Sequence, residues 1–208
     1  MHEQHHLRQF LLFVFALLIP CFGLWTLVSS PLALPAIGFV NMILSSWFPD
    51  VVAAFYAQGP EGLLLTEFGE LNGKPVAPGL SEYQLGFTVD TRILSYSIPF
   101  YSALHFATQK KDYLGGYFLG LLILYLLLVF GLLCLCMKEL MIILGPLFLQ
   151  QEDVLVPHAN VIGLLYQLNV LILPTLAPTA IWAWQSRESP LLVTILGKAV
   201  ASQSGKHT

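Results

Sequence analysis

Apolar residues dominate the first quarter of the chain, which carries no charge between Arg8 and Asp50. Residues 10–28 are long enough to cross a ~30 Å hydrocarbon core. Pro20 falls inside this run and predicts a kink there. Ser29-Ser30-Pro31 and then Pro35 punctuate it, so the first span is expected to end near residue 28. Residues 36–48 are too short to span comfortably and include Asn41, Ser45 and Ser46. They read as an interfacial or re-entrant helix with Trp47 near the headgroups. The first run outlasts the ~7–15 apolar residues of a signal peptide, and Pro35 spoils the small-residue stretch after it, so an uncleaved anchor is expected.

Residues 49–92 break this pattern. They hold six of the chain's twelve acids and only Lys74 and Arg92 as bases. Leu63-Leu64-Leu65-Thr66-Glu67-Phe68 reads as one strand. In the second, Tyr83, Leu85, Phe87 and Val89 alternate with polar or small residues, the period-2 signature of a half-buried strand. Asn72-Gly73 and Pro78-Gly79 supply turns between them. A small antiparallel sheet displayed on the membrane surface follows.

Hydrophobicity then resumes. A second span is expected over residues 93–108, short and bent at Pro99. A third runs over 113–137 and is closed by Lys138-Glu139. Gly145-Pro146 interrupts the next apolar stretch, which reads as surface-lying. A fourth span covers 159–184, bent by Pro174 and Pro178, and the tail 187–208 lies against the surface or is disordered. The expected fold is therefore mainly α: a polytopic membrane protein of about four transmembrane helices with a small β element on its outer face, all within one membrane domain.

Composition agrees. Of 208 residues, 56% are hydrophobic and 10% charged, and the mean hydropathy is +0.74. A soluble domain carries about 25% charged residues, so lipid must replace water as solvent for much of this surface. A net charge of -3 gives no reason to expect a nucleic-acid partner. With both termini in the cytoplasm, Arg8, Lys110, Lys111, Arg187, Lys198 and Lys206 lie inside, and Lys74, Arg92 and Lys138 outside. That excess obeys the positive-inside rule and turns the insert 49–92 toward the periplasm or exterior.

Polar side chains at bilayer depth are the first places to look for function, because each needs a partner. Asn160 and Gln167 lie seven apart on the fourth span, and Tyr166 and Asn169 three apart. They read as a polar seam for a substrate tail or partner helix, or as interhelical glue worth about 0.6 kcal/mol per pair. His105 reads as a hydrogen-bonded structural histidine and His158 as a helix-start residue. His2, His5 and His6 read as a solvated tail. Cys21, Cys134 and Cys136 read as small hydrophobes, since thiols two apart on a helix diverge by about 200°. No metal site and no cofactor are expected. A cysteine peptidase or transpeptidase would require Cys136, His158 and Arg92 to meet at the outer surface. A small transporter would have to oligomerise, because the spans carry essentially no internal charge.

Two stretches resemble exosortase H-associated membrane proteins. One is the strand-to-span junction Phe87-Thr88-Val89-Asp90-Thr91-Arg92-Ile93-Leu94-Ser95-Tyr96-Ser97-Ile98-Pro99. The other is Tyr166-Gln167-Leu168-Asn169-Val170-Leu171-Ile172-Leu173-Pro174-Thr175-Leu176-Ala177-Pro178. Asp90-Thr91-Arg92 departs from the Asn-Pro-apolar pattern of the junction. The resemblance implies a bacterial inner-membrane accessory that docks an exosortase or its substrates, which carry a short C-terminal motif, a hydrophobic helix and a basic tail. It carries over no catalytic residue.

Overall fold

The computed structural model describes residues 2–59, 61–81, 83–108, 113–151 and 154–187, with side chains from residue 8 onward except at Tyr113. The first helix, α1, runs unbroken over His2–Trp47. The expected stop near residue 28 is absent, so the segment expected as a separate helix over 36–48 is instead the end of α1, which runs to Trp47. The physical reason is the solvent. A proline costs a helix one hydrogen bond, but ending the helix in an apolar setting would strand several backbone groups at once. The N-terminal histidines, expected in a mobile tail, have helical backbone. At about 1.5 Å per residue the helix is roughly 70 Å long, more than twice a ~30 Å hydrocarbon core.

Among the described residues three helices are long and apolar enough to cross a membrane: Arg8–Trp47, Leu114–Leu144 and Ala159–Ser186. The expected span 93–108 arrives as two short helices, α2 (Arg92–Ser95) and α3 (Ser97–Ala107). The helix α4 (Tyr113–Leu144) passes straight through Lys138-Glu139, which were expected to end it. It stops at Gly145, whose φ of 55° suits glycine, before α5 (Pro146–Leu149). The last apolar segment is α6 (Ala159–Gln167), a π-turn (Leu168–Ile172) and α7 (Leu173–Ser186). Pro174 has no N–H, and its ring crowds the carbonyl four residues back. The wider π-turn, closed by the Leu173 N–H on the Leu168 carbonyl, accommodates it. The tail expected over 187–208 lies outside the described residues beyond Arg187.

The chain divides into two compact units, and the long helices contribute to both. The first comprises residues 1–26, 97–124 and 175–208. Phe10, Val14, Leu104 and Ala107 form its buried cluster, and the Phe10 and Trp182 rings stack at 5.3 Å. The Trp182 indole N–H donates to Thr108 Oγ1 at 2.7 Å. The beginning of α1, the end of α3 and the end of α7 thus meet. Gln185 Nε2 donates to the Gly116 carbonyl at 2.7 Å, which adds the beginning of α4. Elsewhere α1 turns apolar side chains outward: Phe15 is 66% and Ile19 79% exposed. Water would not tolerate such a surface; lipid would.

The second unit comprises residues 27–96 and 125–174. Here α1 buries Ala33, Ala36, Ile37, Val40 and Leu44, a stripe at helical spacing. It packs against Leu128, Leu132, Leu140 and Leu144 of α4 and against Phe55, Leu64, Phe68 and Val89 of a four-stranded antiparallel sheet. The strands are β1 (Val52–Gln58), β2 (Glu61–Leu71), β3 (Lys74–Val76) and β4 (Gln84–Asp90). β2 is central, with β1 and β3 along one side and β4 along the other. The two expected strands are β2 and β4. β1 and β3 are additional. Asn72 (φ 53°) and Gly73 (φ 75°) make the tight turn from β2 to β3 that their sequence announces.

Asn41, read from the sequence as a mark of an interfacial helix, has a sheet-specific role. Its Oδ1 accepts the Phe55 N–H of β1 at 2.7 Å. Asn41→Leu would leave that N–H unpaired beside a buried side chain. It is expected to lower unfolding stability by about 1–3 kcal/mol, measured as a shift of the denaturant midpoint in detergent.

Candidate functional site

The four residues of the expected polar seam do not gather in one place. Asn160 and Gln167 are exposed on α6, Tyr166 is half-buried, and Asn169 is buried within the π-turn. Asn169 Nδ2 donates to the Leu165 carbonyl at 2.8 Å and lies 3.6 Å from Cys134 Sγ. Its Oδ1 is buried without a hydrogen-bond partner. One helical turn along α4 from Cys134, the Lys138 ammonium donates to Glu139 Oε1 at 2.7 Å and sits 5.1 Å from the centre of the Tyr166 ring. Tyr166 and Asn169 therefore face α4 through Lys138 and Cys134, as two rungs between neighbouring helices.

Lys138 and Glu139 are the only charges on α4, and their side chains are 22% and 24% exposed. Charge inside an apolar helix persists only when paired, which this geometry achieves. Tyr166 adds a ring face to the ammonium and solvates it where water is scarce.

The remaining residues singled out by sequence fall as follows. His158 caps α6: its Nδ1 accepts the Asn160 N–H at 3.3 Å, so it is a helix-start residue. Cys136 is fully buried in the second unit's core and Cys134 nearly so. Among the described residues no three His, Cys, Asp or Glu side chains gather as metal ligands. At the strand-to-helix junction, Asp90 Oδ1 accepts both the Arg92 backbone N–H at 2.9 Å and Arg92 Nε at 3.0 Å. The hydrogen bond from its side chain to Asp90 raises the guanidinium pKa above its ordinary value.

The first unit holds a second polar group that the sequence only hinted at. Tyr101, fully buried, aims its hydroxyl at Gln185 Oε1 (2.8 Å), the Gly116 carbonyl (3.1 Å) and His105 Nδ1 (3.3 Å). A phenol has one proton, so a hydroxyl that donates to an oxygen accepts from His105, and the imidazole then carries its proton on Nδ1. Tyr117 stacks on Tyr101 at 5.9 Å and hydrogen-bonds Ser102 at 3.0 Å. The available signals were the i, i+4 pairs Tyr101/His105 and Gly116/Gly120. Gln185, far along the chain, gave none.

These features define a polytopic membrane protein: long apolar helices with outward-facing hydrophobic side chains, internally paired polar groups and a small antiparallel sheet. The chain belongs to the exosortase H-associated membrane protein family, which it matches over residues 4–189. Both stretches that carry the resemblance, 87–99 and 166–178, fall within that range. No curated protein and no solved structure matches the chain.

Proposed function

We propose that this protein is a non-catalytic accessory subunit of an exosortase protein-sorting system, docking the enzyme or its C-terminally tailed substrates at the bacterial inner membrane. Family membership across nearly the whole chain carries this reading. Two physical observations support it. Cys136 is 0% exposed, so a substrate bond has no route to its sulfur without local unfolding. In the first unit the beginning of α1 meets the end of α7, which agrees with both termini lying on one side of the bilayer. The basic-residue count favours the cytoplasm for that side.

The test is deletion of the gene in its native host, followed by mass spectrometry of the exosortase substrates. C-terminal helices that stay attached, and are removed again on complementation, support the accessory role. Normal processing in the deletion strain overturns it. Complementation with the Cys134→Ala/Cys136→Ala double variant is expected to restore processing fully. Loss of processing at normal membrane abundance of that variant would return the cysteine-enzyme reading.

A further inference from the structure

The sheet has two long outer edges, and only one is closed. Along β1, α1 supplies the missing partners: Asn41 Oδ1 accepts the Phe55 N–H, and Ser30 Oγ donates to the Gly59 carbonyl at 2.8 Å. Residue 55 therefore faces α1, and Ala54, Tyr56 and Gln58 face β2, opposite Leu65, Leu63 and Glu61. Alternation along an antiparallel ladder then directs Gly62 and Leu64 to the other side, onto Val89 and Phe87 of β4. By the same alternation Gly86, Thr88 and Asp90 turn their backbone N–H and C=O groups away from the sheet. Gly86 and Thr88 are exposed, and among the described residues no hydrogen bond reaches the outward backbone groups of these three.

An open edge is a template for another strand, and proteins usually blunt it with lysine, proline or a covering element. β4 contains neither lysine nor proline, and its one charge, Asp90, is engaged by Arg92. We infer that the outer edge of β4 is a docking strand that takes an extended segment of the sorted substrates as an added strand. The inference rests on the proposed function. Alternating donors and acceptors at every second residue, about 6.6 Å apart, are complementary to an extended backbone; lipid offers no such array. Recognition through main chain tolerates varied side chains, which suits a set of substrates of different sequence better than one fixed enzyme. A second copy of this chain fits poorly. The Ser30–Gly59 and Asn41–Phe55 bonds make β1 antiparallel to the second half of α1, and β4 runs parallel to β1. Two copies joined by antiparallel β4 edges would carry their α1 helices in opposite directions, which one bilayer orientation forbids.

Thr88→Pro tests this, because it removes an outward N–H and leaves the ladder to β2 intact, a substitution that edge strands accept. Thr88→Val retains the N–H and is the control. In the deletion strain, Thr88→Pro is expected to process about tenfold less substrate than Thr88→Val at equal membrane abundance, the effect of one lost ladder bond. In native membranes a photo-crosslinking benzophenone residue at position 88, whose side chain is exposed, is expected to yield adducts on substrate peptides; this reading also decides the matter if the proline variant fails to accumulate. Full activity of Thr88→Pro overturns the docking strand and, where deletion abolishes processing, leaves the accessory role standing. Adducts confined to the exosortase, to a second copy or to lipid overturn the substrate assignment.

Discussion

Tyr101→Ala is expected to lower the stability of the first unit by about 3–5 kcal/mol, the range for deleting a fully buried aromatic side chain. The ring is the shared wall of two helices. A Cβ at Gly120 of α4 would overlap the Tyr101 ring, so that glycine exists to admit it. Gly120→Ala alone is expected to cost about 1–3 kcal/mol through overpacking. In the Tyr101→Ala background the same change should cost far less, because the added methyl enters vacated space. Tyr101→Phe separates the remaining contribution. It keeps the ring and removes only the hydroxyl, with its contacts to Gln185 Oε1, the Gly116 carbonyl and His105 Nδ1, for an expected loss of about 1–3 kcal/mol. Denaturant unfolding in detergent, followed by tryptophan emission in a background that keeps Trp182 and replaces Trp25, Trp47 and Trp184 by phenylalanine, would read all four variants. Additive costs for Tyr101→Ala and Gly120→Ala would show that the two do not share a wall.

Much of the architecture was legible because the bilayer imposes few choices. Apolar runs announced the long helices, Asn72-Gly73 announced a hairpin, and the alternation around Phe87 announced β4. What sequence misread was continuity. Pro31 and Pro35 are strong stops in water, where a broken helix is rehydrated. In lipid or against a packed core the broken backbone finds no water, so the helix runs on. Lys138-Glu139 misled in the same way: a charged pair looks like a boundary until the structure shows it neutralising itself and lying against Tyr166. β1 went unseen because both of its faces are largely apolar, and a continuous apolar run has no period to distinguish strand from helix.

The candidate site was legible only in part. Tyr166 and Asn169 were found by their polarity, but the residues opposite them, Lys138 and Cys134, lie on another helix, and no local spacing predicts which turn of α4 they meet. Gln185 joining Tyr101 is a contact of the same kind. The open edge of β4 shows a different limit: its strand was recognisable, yet whether an edge is covered depends on distant side chains. Asn41 and Ser30 close the β1 edge, and nothing in their local sequence says so.

Phe55→Ala is expected to be as costly as Tyr101→Ala, about 3–5 kcal/mol, and to act on the sheet in a defined order. The Phe55 ring, 3% exposed, lies over Gly62 of the central strand so closely that a Cβ at Gly62 would overlap it. A cross-strand aromatic of this kind covers backbone that glycine leaves bare. Removing it opens a cavity against the helices and loosens β1, whose ladder to β2 uses the amides of residues 61, 63 and 65. Those of Gly62 and Leu64 bond β4 instead. Hydrogen exchange should therefore rise first at Leu63 and Leu65 and later at Gly62 and Leu64. Uniform loss of protection across all four would mean that the sheet opens as one cooperative unit. Protection lost first at Gly62 and Leu64 would contradict the bonding alternation itself, and with it the outward direction assigned to Gly86 and Thr88.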